Sequence, residues 1–253
     1  MDDENIYERI QDIFGQFPEH FNILEEQIDI DLQVEYFEFS RNLKNNLATC
    51  NIQPVKNDLF RKDHSLANKK ELLVHLASLE EVEAYRTIEK YLQEPDTELK
   101  QWAILAFQES RMLIQSKLLD EDQVFISTGL GGKGSKLRYF IVLFNSFDES
   151  FNELQQRIIQ TEFDFILKKY QAELEEVNFM SNYCSLLAVV PIKATIRDIF
   201  KSAISECNEL GGFIRPNFIV TNVKKLSYEE IKEFVDKKFD EDSYEDSYDD
   251  SDS

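Results

Sequence analysis

The chain has 253 residues, 42% of them apolar and twenty of them phenylalanine, with 28 basic against 49 acidic side chains for a formal net charge of −21. That length supports one large or two ordinary domains, and the apolar content excludes global disorder. No apolar run approaches the roughly 20 residues of a membrane-spanning helix, and the acidic start MDDENIYERI lacks the basic-then-apolar layout of a secretory signal, so the expected address is the cytoplasm.

Charge is unevenly placed. Residues 1–122 carry 26 acids against 13 bases, residues 123–239 carry fifteen of each, and residues 240–253 carry eight acids and no base. We therefore expect an acidic domain over 1–122, a neutral domain over 123–239, and a disordered acidic tail over 240–253 that could fold back on basic groups. Within the second domain, Gln123–Phe147 contains no acid at all, only Lys133, Lys136 and Arg138. Cys50, Cys184 and Cys207 form no C-x-x-C and no pairable framework, so each is expected to pack as a small apolar side chain in a reducing compartment.

The first half reads as helical. Residues 28–36 (IDIDLQVEY) alternate apolar and polar, which fits a strand, yet Leu32, Tyr36, Phe39, Leu43 and Leu47 also form a helical stripe, and a helix from about residue 31 fits better. Ser78-Leu-Glu-Glu81 has the form of a capping box opening a helix to about Gln93. After Glu94-Pro95-Asp96 a second helix over 97–118 places Leu99, Trp102, Ala103, Ala106, Ser110, Leu113 and Ile114 on one stripe. The pair AYRTIEKYLQEPDTELKQWAILAFQESR (residues 84–111) resembles a HEAT-type helical repeat: a short Pro-Asp turn, Leu99-Lys100 opening the second helix, and small Ala103 and Ala106 for close packing. The resemblance implies a short α-solenoid-like domain, a class that binds other proteins. An irregular helical bundle is the alternative.

The second half changes period. QVFIS (123–127) and LRYFIVLFN (137–145) read as strands, the latter continuous enough to be central. Ser150-Phe-Asn-Glu153 should cap a helix to about 172; Val177–Ser181 and Cys184–Pro191 read as strands about an Asn182 turn. Thr195 should cap a helix ended by Gly211-Gly212, Phe213–Val223 a strand with Pro216 marking an edge, and Ser227-Tyr-Glu-Glu230 a last helix to about Phe239. The expected class is α+β: an all-α HEAT-like or helical-bundle domain, then a ferredoxin-like βαββαβ domain with 123–127 hairpinned onto its first strand.

The loop GLGGKG (129–134) matches G-x-G-x-x-G, but a strand follows it where a dinucleotide site needs a helix, and Lys133 precedes the last glycine, unlike a Walker loop. It is either a hairpin tip or a contact loop, with Gly129, Gly131, Gly132, Lys133, Gly134, Lys136 and Arg138 as candidate binding residues. Lys193, Arg197, Arg215, Lys224 and Lys225 could extend it into one basic surface. His20, His64 and His75 lack metal-ligand spacing; His75 reads as a satisfied structural histidine, and Asp29-x-Asp31 as a chance match. No catalytic residue, metal ligand or cofactor is expected. The sequence thus points to a non-enzymatic adaptor with a protein partner. An RNA- or ribosome-associated factor using the same hairpin is the first alternative, and a small-molecule sensor acting as a ferredoxin-like dimer the second.

Overall fold

The computed structural model describes residues 18, 20–46, 52–121 and 123–235. The expected tail over 240–253 and Cys50 lie outside them. Two compact units divide the described residues. One runs to Leu137 and includes Pro191–Lys193; the other takes Arg138–Val190 and the residues from Ala194 onward. The division follows the glycine hairpin, whereas charge alone suggests 122/123.

In the first unit β1 (Phe21–Ile23) leads to α1 (Ile30–Asn46), α2 (Ile52–Leu59), α3 (Leu66–Ser78), α4 (Val82–Tyr91) and, after a 3-10 turn at Thr97–Leu99, α5 (Lys100–Leu119). Helix wins over strand at 30–36 because the Asp29 carboxylate accepts the Asp31 N–H at 2.8 Å, so the D-x-D is a helix cap. The helix then turns Tyr36 inward, where it is fully buried and packs edge-on against Trp102. Ala103 and Ala106 of α5 are fully buried as well, and their small side chains let α3 and α4 pack close to α5. Trp102 donates its indole N–H to the Lys70 carbonyl at 3.2 Å, and the Lys70 ammonium lies 4.2 Å from its ring centroid.

Two carboxylates gather several of the polar groups of this core. The Glu109 carboxylate, its side chain 5% exposed, accepts from the Tyr36 hydroxyl (2.6 Å), the Ser40 hydroxyl (2.7 Å) and the Lys44 ammonium (2.6 Å). The Asp96 carboxylate accepts from buried Lys69 (2.7 Å) and from the Tyr91 hydroxyl (2.6 Å), which holds its pKa below the ordinary carboxylate value. The expected capping box at Ser78 does not form. Leu76 and Ala77 are fully buried, so α3 continues through Ser78, whose hydroxyl donates back to the His75 carbonyl at 2.7 Å. Glu81 precedes α4 without a side-chain cap.

The second unit is built on β4 (Lys136–Asn145), α6 (Glu153–Lys169), β5 (Glu173–Phe179), β6 (Tyr183–Pro191), α7 (Ile196–Glu209), β7 (Ile214–Thr221) and a helix, α8, over 228–235. The strand order is β7-β4-β6-β5, with the two-residue β3 (Gly132–Lys133) also on β4; β4–β7, β5–β6 and β3–β4 are antiparallel. This is α+β, with β4 central and β7 at an edge as Pro216 indicated. Buried Phe163 of α6 meets Phe200 of α7 at 6.1 Å, and Phe200 meets Phe218 of β7 at 6.0 Å, so one sheet face is covered by α6 and α7. The cap of α6 sits two residues later than expected, as a reciprocal box between Asn152 and Gln155. The one expected at Ser227 and Glu230 is present. Strand β5 begins at Glu173, four residues before the apolar pattern shows it, because its acids face solvent at an edge.

One pairing differs from expectation. The strand at 123–127, here β2 (Val124–Ile126), does not hairpin onto β4. It pairs in parallel with β1, Phe21 opposite Val124 and Ile23 opposite Ile126, and Phe125 lies 6.0 Å from Phe37 of the helical core.

Candidate functional site

The glycine loop is mostly interior. Gly129, Leu130, Gly131 and Gly132 are buried, and only Lys133, Gly134 and Ser135 are exposed. Gly131 has φ 67°, and a Cβ there would stand 2.5 Å from the Glu25 and Glu26 carbonyl oxygens; one at Gly132 would meet the Lys136 carbonyl and the Ile23 side chain. Those two glycines are backbone-to-backbone packing positions. At the tip, Gly134 has φ 61° in a two-residue turn between Lys133 and Lys136, as the first central residue of a hairpin turn requires. Its N–H, the group a phosphate would need, donates to the Glu25 carboxylate at 2.8 Å.

Four cations of the expected basic surface are ion-paired. Arg138 holds both oxygens of Glu175 (2.6 and 3.1 Å), Arg215 reaches Asp148 (2.6 Å), Lys225 holds both oxygens of Glu176 (2.9 and 2.8 Å), and Lys224 pairs with Glu230. Lys133, Lys136, Lys193 and Arg197 also have interactions within the chain. His75 is buried but not satisfied: its Nε2 has no partner, and burial lowers its pKa against the opposing pull of Glu71. Among the described residues no group of three or more His, Cys, Asp or Glu is placed to hold a metal ion, and no helix is long and apolar enough to cross a membrane.

A more promising site lies on the other face of the second unit's sheet. Leu143 pairs with Phe218, which faces α7, so the alternation of a strand turns Phe140 to the opposite face. There Phe140, Glu176 and Asn178 of β5, and Tyr183 and Ser185 of β6 line a cleft of about 510 Å3, closed on its other side by Lys225, Leu226, Tyr228 and Ile231. Ile231 anchors α8, only 3% exposed. The Tyr183 and Tyr228 rings stack with centroids 6.4 Å apart and planes 23° apart; Tyr183 is 7% exposed and Tyr228 57%. Burial, with Tyr228 and Glu229 beside it, raises the Tyr183 hydroxyl above the ordinary tyrosine value. Phe144 extends the aromatic row, 6.5 Å from Tyr183. The Glu176–Lys225 pair forms one wall.

Of these residues only Lys225 stood out in the sequence, and there as part of a basic surface. The one local signal was the Ser227–Glu230 box, which sets Tyr228 at the first position of α8 and so fixes its direction.

No family model and no curated protein matches the chain. Among solved structures it is similar to a candidate transposase from Deinococcus radiodurans R1, at 17% identity over 42% of this chain and 93% of that one, with a TM-score of 0.36. It is also similar to a REP-associated tyrosine transposase bound to a REP hairpin, at 8% identity over 39% of this chain and 62% of that one, with a TM-score of 0.31. Such scores transfer neither fold nor activity. The adaptor expectation is corrected to this extent: it finds no support in these similarities, which are to structures described as transposases. The hairpin on which the adaptor and ribosomal readings leaned is largely buried, and its tip amide is bound to Glu25.

Proposed function

We propose that the second unit is a single-stranded DNA-binding module that stacks an unpaired base on the Tyr183–Tyr228 pair. The observation that carries this is the half-exposed Tyr228 ring, held in place by a buried ring beneath it, at the mouth of a cleft large enough for a base. A stacking platform does not need a strongly basic groove. Residues 123–239 carry as many acids as bases, so affinity rests on the rings and depends only weakly on salt.

The test is fluorescence anisotropy with a labelled single strand, a hairpin with an unpaired loop, and a perfect duplex. Single strand and loop bind, and the duplex binds at least tenfold more weakly. Tyr228→Ala loses about 1–3 kcal/mol, roughly 5- to 150-fold in Kd, and Tyr228→Phe keeps most of the affinity. Equal binding of duplex and single strand, or an unchanged Kd in Tyr228→Ala, refutes the proposal.

Two finer points of fold belong with it. The order β7-β4-β6-β5 supports a ferredoxin-like βαββαβ arrangement for the second unit. The turn at Pro95-Asp96 and the buried Ala103 and Ala106 support a HEAT-type pairing of α4 with α5.

A further inference from the structure

We propose that one end of the second unit's sheet is a docking surface for a protein segment that carries large apolar side chains flanked by Lys or Arg. The surface stands apart from the base-stacking reading. Backbone bonds draw three connections together there: the Asn145 N–H donates to the Asn182 carbonyl and the Ser146 N–H to the Phe213 carbonyl, both at 2.9 Å. Beneath them the buried Phe151 ring packs edge-on against Phe179 (6.1 Å) and Phe213 (6.2 Å). Phe147, Leu154, Met180 and Leu210 each lie within four residues of one of those rings. They are 63, 67, 51 and 62% exposed. One exposed apolar side chain is ordinary; four, each more than half exposed around one aromatic cluster, form the kind of patch that marks an interaction surface.

The segment bearing Phe147 is held in place. The Phe147 N–H donates to the Asn145 side-chain oxygen at 2.9 Å, and Asp148 takes φ 55°. Arg215 bridges the turn, donating to the Asn145 carbonyl (3.2 Å) and the Asp148 carboxylate (2.6 Å). An anchor already ordered in the free protein loses little entropy on binding. Charge then selects the occupant. Residues 145–156, 179–183 and 206–215 contain five acids and one base, and that base, Arg215, is bonded to Asp148. The other four acids, Glu149, Glu153, Glu206 and Glu209, are exposed and make no ion pair among the described residues. Such a rim repels nucleic-acid phosphates and anionic lipid headgroups. A second copy would set acids against acids. The chain's own residues 240–253, with eight acids and no base, are repelled as well. A cationic segment is attracted to the rim, and its apolar side chains cover Phe147, Leu154 and Leu210, with the flexible Met180 side chain adapting to their shape.

The experiment selects from a phage-displayed library of random short peptides on the immobilised full chain, and then measures the enriched peptides on variants. Those peptides carry two or more large apolar residues with Lys or Arg beside them. They bind wild type at least about tenfold more tightly than a Phe147→Ser/Leu210→Ser chain. Glu149→Gln/Glu209→Gln weakens them by about threefold and flattens their salt dependence. Both double variants change exposed side chains, so urea midpoints stay at the wild-type value. Leu118→Ser, at a position 75% exposed in the first unit, leaves binding unchanged. Peptides without a basic bias, equal binding to the Phe147→Ser/Leu210→Ser chain, or no enrichment at all overturn the proposal. So does a dimer in sedimentation that the same variant dissolves, which gives the surface to a second copy. Binding to phosphatidylserine vesicles that this variant abolishes overturns it too, and gives the surface to lipid.

Discussion

Gly131→Ala tests what the glycine loop is for. At φ 67° an alanine costs about 1–2 kcal/mol of backbone strain. Its methyl would also stand 2.5 Å from two backbone carbonyl oxygens, Glu25 and Glu26, which cannot rotate away as a side chain could. Moving that segment adds about 1–3 kcal/mol, as overpacking in a core does. Loss of glycine's freedom in the unfolded chain returns about 0.4–1 kcal/mol, which leaves a net destabilisation of about 2–4 kcal/mol. Gly134→Ala is the control. Its φ is 61°, but nothing lies within 4 Å of the added methyl and its N–H can still donate to Glu25, so only strain remains, about 1 kcal/mol net. Trp102 is the chain's single tryptophan, is 1% exposed, and belongs to the same unit as both glycines. Urea unfolding followed by its fluorescence therefore reads the cost directly, as midpoint shifts of about 1–2 M and less than about 1 M. Equal costs for the two variants would refute the packing argument and return the loop to a free surface turn.

Three further outcomes follow from the same structure. Glu109→Ala strips the Tyr36 and Ser40 hydroxyls and Lys44 of their common acceptor and lowers stability by about 3–5 kcal/mol, whereas Tyr36→Phe costs about 1–2 kcal/mol; Trp102 fluorescence in urea again measures both. Because burial holds the folded pKa of His75 below 6.5, the unfolded chain takes up that proton first as pH falls. Stability drops through the window below pH 6.5, and the drop is smaller in His75→Leu when midpoints at about pH 7.5 and 5.5 are compared. Burial raises both remaining thiols of a Cys50→Ser chain, Cys207 to about 12 and Cys184 further, so neither reacts with an aromatic disulfide reagent until urea unfolds the protein; fast native labelling would refute the assignment.

Local pattern was enough where one element's own chemistry decides the outcome. The stripe through Trp102, Ala103 and Ala106, the continuous apolar runs of β4 and β6, the Ser227–Glu230 box and the failure of GLGGKG as a nucleotide fingerprint were all legible, because helix, buried strand and cap each depend on neighbours a few residues away. Tertiary structure decided everything that depends on distant partners. Ser78 joined α3 and not α4 because its neighbours Leu76 and Ala77 are held in the helical core. Val124–Ile126 left β4 for β1, with Phe125 meeting Phe37. Glu173–Glu176 formed a strand that its acids hid, since β6 supplied the hydrogen bonds and distant Arg138 and Lys225 paired with Glu175 and Glu176. The cleft itself joins Phe140, Asn178, Ser185 and Tyr228 from three strands and a helix. No periodicity connects those positions; only the order in which the strands pair sets them side by side.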